Sequence, residues 1–351
     1  MNQLYKEISE QPDVFQRIAD SYVNEDFFRK WGERLPGRLV ITGMGSSLFA
    51  LYPAFLHLHR AGLPVSWVDA SELLHYGMEG LNSQDTLLFA SQSGESYELI
   101  RILERLSDNQ PRLLAVTAEK ESTVGRAAHD LLDILSGSEK AVTSTKTHSA
   151  MVATANLWAL ALTGNKKAFF DASKVLTTIA EEAFHLIEGS SDWMERLSIK
   201  KTLVSGIEET QFIIARGPAL ASAWHGCLCF YECARVPFMS FSGGQFRHGP
   251  LELLLHPALA IILAVPGSTY DIMITLAKEL AGRGANVLCI GPDEATFCSN
   301  NLETLPLRFP NEFFAPILSI IPFELFAYHL ALEKGIEPGT ATLISKTTSR
   351  E

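Results

Sequence analysis

Positive charge is scarce in this chain. Its 351 residues include 29 lysines and arginines against 40 aspartates and glutamates, so the formal net charge is -11 at pH 7. A nucleic-acid groove binds the phosphate backbone through clustered Lys and Arg, and the sequence has no such cluster. We therefore exclude nucleic acid as a partner, and we expect any anionic ligand to be held by a local site.

Apolar segments of the kind that direct export or span a membrane are also lacking. Residues 1–14 are polar and charged with no apolar signal region, and no apolar run looks long enough for a transmembrane helix. We therefore expect a soluble cytoplasmic protein with no membrane partner. The length and the 47% hydrophobic content are enough for two domains of ordinary size.

Cysteine is sparse and odd in number. Three of the five cysteines, Cys227, Cys229 and Cys233, fall in one apolar segment with helical character. In a chain without an export signal this pattern favours buried free thiols over disulfides. A metal site is the lesser alternative, because only Cys229 and Cys233 share a helical face and no His pair or second Cys pair follows. We predict no metal.

Short apolar segments alternate with helical ones through the first half of the chain. Strands are predicted at 38–42, 63–67, 86–90, 112–116 and 131–135. Continuous apolar strands separated by helices are typical of a parallel sheet covered on both faces, which is the doubly wound α/β architecture. Ligands of such sheets bind at the carboxyl ends of the strands.

The second half repeats the pattern of the first. Predicted strands at 212–215, 260–264 and 286–290 follow those beginning at 39, 86 and 112 with an offset of 173 or 174 residues. Three matches at a nearly constant offset indicate an internal duplication. The predicted organisation is N-terminal helices over 1–34, a first domain over 35–165, a linking helix over 166–200, a second domain over 201–330 and a C-terminal tail over 331–351.

Polar loops rich in serine follow three of the predicted strands. They are the first loop (43–47), the second loop (91–96) and the third loop (143–146), which we call the serine loops. Loop N–H groups before a helix, together with hydroxyls, suit a phosphate. The first loop lacks the third glycine of a dinucleotide fingerprint, and no Gly-Lys-Ser/Thr occurs, so a phosphomonoester is favoured. Ordinary turns and helix caps are the competing interpretation, which three such loops together make weaker.

Two further residues have the chemistry of proton transfer. Glu232 lies on the apolar segment with the cysteines, and His248 lies in a glycine-bracketed loop over 243–250. A carboxylate and an imidazole on separate elements can be tuned toward neutral pH by burial and by each other. Taken alone, a surface glutamate and a satisfied loop histidine are the better interpretation.

In combination these motifs make the chain resemble the tandem SIS (sugar isomerase) proteins. The motifs are Gly-Ser-Ser at 45–47, Ser-Gln-Ser-Gly-Glu-Ser at 91–96, Thr-Ser-Thr-Lys at 143–146 and Gly-Gln-Phe-Arg-His-Gly-Pro at 244–250. Over nearly its whole length the chain is most similar to the isomerase half of glucosamine-6-phosphate synthase and to the fructosamine-6-phosphate deglycases. The resemblance implies two flavodoxin-like SIS domains, a homodimer with shared active sites and no cofactor. We expect no counterpart of the glutamine-hydrolysing domain of the synthase, because the sequence has no N-terminal cysteine nucleophile.

The resemblance also implies roles for particular residues. The catalytic glutamate and histidine of the family fall on Glu232 and His248, and the histidine is often donated across a dimer interface. The family has a lysine that contacts the open-chain sugar, and Lys346 is at the matching position. The alternative interpretation of Lys346 is a solvated lysine of the C-terminal tail. The family's positions that bind the sugar phosphate match residues of the serine loops, which are Ser46, Ser47, Ser91, Gln92, Ser93, Ser96 and Ser144.

The chain departs from the synthase pattern at two positions. Cys229 stands where the synthase has a second lysine, and His225 replaces a glutamate one turn earlier. On an α-helix, Glu232 would share a face with both residues. A thiol cannot replace an ammonium, so aminating isomerisation is disfavoured. Cys229 and His225 are candidates for the substrate wall, with a packed core histidine as an equal alternative for His225.

The predicted function is therefore removal of the amine from a 6-phosphorylated fructosamine (ketosamine), which releases a hexose 6-phosphate. Two other enzyme activities, aldose–ketose isomerisation and aminosugar-phosphate deamination, use the same acid–base pair and stay open. A sugar-phosphate sensor without catalysis is the alternative from another class.

Overall fold

The computed structural model describes residues 2–33, 35–106, 110–197, 210–291 and 301–347. The described strands are β1 Leu39–Gly43, β2 Val65–Asp69, β3 Thr86–Ala90, β4 Arg112–Thr117, β5 Asp130–Asp133, β6 Thr210–Ala215, β7 Met239–Ser242, β8 Ala258–Leu263, β9 Asn286–Gly291 and β10 Leu302–Pro306. The predicted linking helix and C-terminal tail extend to 198–200 and 348–351, which lie outside the described residues, as does the predicted boundary at 201.

Helices connect the strands along the whole described chain. The α-helices are α1 Gln3–Ser9, α2 Gln11–Tyr22, α3 Glu25–Trp31, α4 Gly45–Ala50, α5 Tyr52–Arg60, α6 Ala70–Glu72, α7 Tyr97–Arg105, α8 Thr123–Ala127, α9 Lys146–Leu162, α10 Lys166–Glu188, α11 Ser190–Arg196, α12 Leu220–Cys229, α13 Gly243–Phe246, α14 Tyr270–Gly282, α15 Pro316–Ser319 and α16 Ile321–Glu333. The described residues also contain two π-helical turns, Leu73–Gly77 and Phe230–Ala234, and three 3₁₀ turns, Met78–Gly80, Gly217–Ala219 and Pro250–Leu255.

The chain divides into two compact units. One comprises Asp13–Thr177 with Ala341–Glu351, and we call it the serine-loop unit. The other comprises Met1–Pro12 with Thr178–Thr340, and we call it the Glu232 unit.

The serine-loop unit contains a five-stranded sheet in the order β2-β1-β3-β4-β5, with every neighbouring pair parallel. All five residues of β1 and of β3 are buried, which confirms the interpretation of these apolar runs as strands covered on both faces. From β1 the chain continues to one side, into β2, and from β3 to the other, into β4. The carboxyl ends of β1 and β3 therefore flank the topological switch point, where ligands of doubly wound sheets bind.

The Glu232 unit repeats this sheet. Its order is β10-β9-β8-β6-β7 and its pairs are also parallel, so β6, β8 and β9 hold the positions of β1, β3 and β4. The three strand pairs that the constant offset predicted are confirmed by this order. Two strands were not predicted, β7 and β10, which lie at the edges of the sheet. Each has only a partly buried pattern, so neither forms the continuous apolar run of an interior strand.

Two helices are apolar enough to need a structural account. Residues 146–161 of α9 are all buried, so this helix runs through the interior of the serine-loop unit. The segment Pro316–Glu333 has a mean hydropathy of 1.2 over 18 residues, which meets the length and composition of a membrane span. The sequence had suggested no such run. Because 78% of that window is buried inside the fold, its apolar surface packs as in a core helix.

Candidate functional site

The first loop turns the chain from β1 directly into α4. Gly45 has φ of +47°, a left-handed conformation that glycine adopts without a steric penalty. Ser46 and Ser47 then fall in the first turn of α4, and both are partly exposed. The Ser46 hydroxyl lies 3.2 Å from Nδ1 of His148 on α9, so the buried helix fixes this side of the loop.

The second loop is organised by its own serines. The Ser91 hydroxyl accepts a hydrogen bond from the Gly94 N–H at 3.0 Å and lies 3.1 Å from the Ser96 hydroxyl. Ser91 is only 2% exposed, whereas Gln92, Ser93 and Ser96 are partly exposed. Ser91 therefore holds the loop in shape, and its neighbours are the members of the predicted set that solvent or a ligand reaches more easily.

The start of α8 supports the second loop from outside. The Glu95 carboxylate accepts hydrogen bonds from the N–H and the hydroxyl of Thr123, at 2.6 and 2.9 Å. Gly94 has φ of +63°, and a Cβ atom there would lie 1.9 Å from the hydroxyl oxygen of Ser122. Only glycine fits this position. The loop is thereby preformed where α7 begins, and the Ser96 hydroxyl is not used as a side-chain cap of that helix.

The third loop encloses a carboxylate that sequence reasoning missed. Glu139 is buried, and its Oε1 accepts hydrogen bonds from the N–H and hydroxyl of Thr145, at 2.9 and 3.0 Å, and from the Thr147 N–H at 3.2 Å. Its Oε2 accepts from the Thr147 hydroxyl at 2.6 Å and from the Lys346 ammonium at 2.5 Å. The glutamate thus joins the loop that carries Ser144 to the C-terminal segment.

The ion pair sets the charge state of Glu139. Burial by itself would raise the pKa of this carboxyl, but the Lys346 ammonium and the hydrogen bonds from Thr147 and Thr145 outweigh burial and hold the pKa below its ordinary value. The Glu139 side chain is 0% exposed and that of Lys346 is 21% exposed. Lys346 is therefore not a solvated tail lysine, since its ammonium is held at the third loop.

In the Glu232 unit, α12 places two of the predicted residues side by side. His225 and Cys229 are both buried, and the Cys229 sulfur lies 3.8 Å from Nε2 of His225. This is the i, i+4 neighbour relation expected on one helical face. Burial, followed by the charges of Glu324 and Glu232, raises the pKa of the Cys229 thiol well above its ordinary value. The thiol is neutral at physiological pH.

Glu232 lies in a π-helical turn, not in the regular α-helix that the sequence suggested. The turn Phe230–Ala234 follows α12 directly and ends at Arg235, whose φ of +56° is left-handed. A π turn widens the helix locally and changes the direction of the side chains, and such turns are frequent at functional sites. Glu232 is partly exposed, whereas Phe230 and Cys233, in the same turn, are fully buried.

His248 lies on the exposed side of an anchored loop. Phe246 is 0% exposed, and Arg247 forms an ion pair with Glu279 of α14 at 2.6 Å. The next residue, His248, is exposed, and its N–H donates to the Gln245 carbonyl at 3.0 Å. None of the described hydrogen bonds joins His248 to Glu232.

The predicted site residues thus fall into two sets. The serine-loop unit holds the phosphate candidates together with Lys346, and the Glu232 unit holds His225, Cys229, Glu232 and His248. Of the residues that the sequence did not single out, Glu139 is the most closely tied to the first set. No spacing rule could have paired it with Lys346, because 207 positions separate the two.

The three clustered cysteines are buried thiols, as the sequence favoured. Burial is the main cause that raises the pKa of Cys227 to about 12 and that of Cys233 to about 11. Within the described residues, no group of three or more His, Cys, Asp or Glu side chains is arranged to hold a metal ion.

Comparison with known proteins adds a family match to this geometry. Residues 35–162, which contain β1 to β5 and all three serine loops, match the SIS domain family. Over 363 residues the chain is 28% identical to a glutamine–fructose-6-phosphate aminotransferase (isomerizing) of Gloeobacter violaceus. The match covers 99% of this chain and 58% of the relative, so the chain spans less than two thirds of the relative's length.

Solved structures match both sheets. The C-terminal domain of glucosamine-fructose-6-phosphate aminotransferase from Francisella tularensis has a TM-score of 0.84 at 20% identity, covering 95% of this chain and 96% of that one. Glucosamine-6-phosphate deaminase from Thermotoga maritima has a TM-score of 0.77 at 19% identity, covering 99% of both chains. At such identities the likeness shows the fold. Residues 35–162 therefore match the SIS domain family, and the whole chain has the two-sheet α/β fold of the aminotransferase domain and the deaminase named above.

Proposed function

We propose that this protein is a phosphosugar-processing enzyme that removes the amine from a 6-phosphorylated fructosamine. The observation that carries the proposal is the serine-loop unit, where preformed loops at the switch point of the sheet lie in the same unit as the anchored Lys346. Relatives named for fructose 6-phosphate and glucosamine 6-phosphate chemistry support a phosphosugar as the ligand class.

The phosphate is assigned to the serine loops. Backbone N–H groups and neutral hydroxyls bind a phosphate dianion without a permanent positive charge, which agrees with a chain of net charge -11. Of the predicted contacts, Ser47, Ser93 and Ser96 have partly exposed side chains suited to direct contact. Ser91 is assigned mainly to holding the loop.

Proton transfer is assigned to the second set of residues. His248 is proposed to assist ring opening, and Glu232 to remove the proton from C1 of the open-chain ketosamine. The resulting enaminol takes a proton back at C2 and becomes an imine at C1. One water molecule then hydrolyses the imine to hexose 6-phosphate and the free amine. Lys346 is proposed to polarise the C2 carbonyl.

Cys229 favours amine removal over amine transfer. A buried neutral thiol stands at the position where the synthase pattern has a lysine, and it supplies no positive charge to a transferred nitrogen. His225, 3.8 Å from that sulfur, is proposed to belong to the same wall. The second candidate function is deamination of an aminosugar phosphate, which the likeness to the Thermotoga maritima deaminase favours. Simple aldose–ketose isomerisation needs the same first steps.

The other expectations are proposals of the same kind. We propose domain boundaries near 35–165 and 201–330, a homodimer that shares its active sites, and a cytoplasmic location. Sedimentation analysis tests the dimer directly. Sharing of the active sites is tested by mixing inactive Glu232→Gln and His248→Ala chains, because activity is restored only where subunits exchange and share sites.

Turnover of fructosamine 6-phosphates decides the proposed function. The enzyme is incubated with these compounds, and release of glucose 6-phosphate is followed with a coupled dehydrogenase. Glu232→Gln and His248→Ala should each lower kcat by about 10²–10⁴-fold, the usual contribution of a positioned acid or base. The matched control is Glu252→Gln, an exposed carboxylate of the same unit.

Each alternative has its own result. Ammonia release from glucosamine 6-phosphate would favour the deaminase, and interconversion of aldose and ketose phosphates the isomerase. Tight binding of phosphosugars without turnover of any of them would favour the sensor. Wild-type rates in both the Glu232 and the His248 variants would show that the catalytic assignment is wrong.

A further inference from the structure

Glu139 is more deeply buried and more fully hydrogen-bonded than a carboxylate on a surface loop needs to be. Its side chain is 0% exposed, and its two oxygens accept five hydrogen bonds, four of them from Thr145 and Thr147. The fifth comes from the ammonium of Lys346. A buried carboxylate costs free energy unless it is paired and fully hydrogen-bonded, and here it is both.

We propose that Glu139 is a positioning residue, which holds the Lys346 ammonium at the third serine loop and thereby brings the C-terminal segment to the substrate. The chemistry assigned to Lys346 rests on the proposed function. The holding of the segment does not, because it follows from the contacts within the serine-loop unit.

The two partners of the ion pair differ in how firmly they are held. Thr145 and Thr147 fix the carboxylate at the start of α9, which is buried along its length. Lys346 lies in a segment without helix or strand over 341–347, where Leu343 is 96% and Ile344 52% exposed. Glu139 is therefore the fixed point, and Lys346 is the part whose position depends on it.

The geometry leaves Lys346 able to act on a ligand. An ammonium has three donors, and Glu139 Oε2 takes one of them. The carboxylate that orients the ammonium also accepts hydrogen bonds from the N–H groups of Thr145, the residue directly after Ser144, and of Thr147. The Glu139 side chain thus fixes the position of the Lys346 ammonium, which is assigned to the carbonyl, relative to the third serine loop, which is assigned to phosphate binding. Misplacing an oriented group by about 1 Å can cost about 10²-fold in rate.

Kinetics separate positioning from support of the fold. Glu139→Gln removes the charge at nearly unchanged volume, so we expect kcat to fall about 10–100-fold while KM changes less than about 3-fold. Glu139→Asp keeps the charge and should recover part of the loss. The matched control is Lys120→Met, which breaks a surface ion pair with Asp133 in the same unit and should leave kcat unchanged.

Amine rescue asks whether the carboxylate orients the cation. In Lys346→Ala, added ethylamine or propylamine can occupy the vacated space, and we expect it to restore activity several-fold. In the double variant Glu139→Gln/Lys346→Ala the same amine should restore nothing. Equal rescue in both backgrounds, or full kcat in Glu139→Gln, would overturn the proposal.

Hydrogen exchange tests the anchoring without any substrate. In Glu139→Gln and in Lys346→Met, amides of 341–347 should exchange faster than in the wild type, while amides of α9 keep their protection. Wild-type protection of 341–347 in both variants would refute the anchoring, whatever the activity. If no phosphosugar is turned over, the proposed function fails, and faster exchange would still support the role of Glu139. The Lys346 variant keeps the test valid should Glu139→Gln not fold.

Discussion

Replacing Lys346 by methionine should destabilise the serine-loop unit in a pH-dependent way. The variant keeps the length and much of the volume of the side chain but leaves the Glu139 carboxylate, 0% exposed, without its cation. Breaking a fully buried ion pair costs about 3–5 kcal/mol. Because Lys346 is 21% exposed and four other hydrogen bonds to Glu139 remain, we expect a loss of about 2 kcal/mol at pH 7, within the range for one hydrogen bond to a charged group.

The sign of the pH dependence follows from the pKa of Glu139. In the wild type this pKa lies below its ordinary value, 4.5, so the carboxylate contributes stability above that pH and loses the contribution as the pH falls through the folded-state pKa. In Lys346→Met burial still opposes ionisation while the attraction is gone, so the pKa of Glu139 moves up. The variant therefore protonates first. The difference in unfolding free energy between the two proteins should be largest near neutral pH and should shrink as the pH falls from the raised pKa of Glu139 in the variant to its lowered pKa in the wild type.

Thermal unfolding measured between pH 3.5 and 7.5 checks both parts. A loss of about 2 kcal/mol lowers the Tm by roughly 4–8 °C in a domain of this size class. Lys120→Met, which breaks an ion pair with a lysine 61% exposed, should lower it far less, because exposed pairs contribute little. A difference between Lys346→Met and wild type that does not change with pH would refute the reasoning, since it would have to come from packing and not from the ion pair.

Two further outcomes follow from the same contacts. Gly94→Ala should lower stability by at least about 2 kcal/mol and abolish phosphosugar-induced thermal stabilisation, because alanine is strained at φ of +63° and its Cβ would overlap the Ser122 hydroxyl; an unchanged ligand-induced shift would exclude the second loop from binding. The three thiols of α12 and its π turn should react with a maleimide at neutral pH only after unfolding, because they are buried and their pKa values are raised. Rapid labelling of the folded protein would contradict that.

Much of the fold was predictable from local patterns. Interior strands of a parallel sheet are apolar on both faces, so β1, β3, β6, β8 and β9 stand out as continuous apolar runs. The edge strands β7 and β10 have only partly buried patterns, and the sequence did not predict them. The π turn at Glu232 was also missed. Its hydrogen-bonded turn contains one more residue than an α-helical turn, and a single extra residue does not visibly change the apolar periodicity of the sequence.

By itself the sequence determined the two-sheet α/β architecture, its duplication and the serine loops at the strand ends, because these depend on residue type and on spacing over a few residues. The tertiary structure decided what the side chains do there. It turned Ser91 inward to hold its loop, and it gave Lys346 a fixed partner in Glu139, which lies 207 positions earlier in the chain. Such pairings depend on which segments folding brings together, and a buried carboxylate can form only where the fold supplies both the hydrogen-bond donors and the cation.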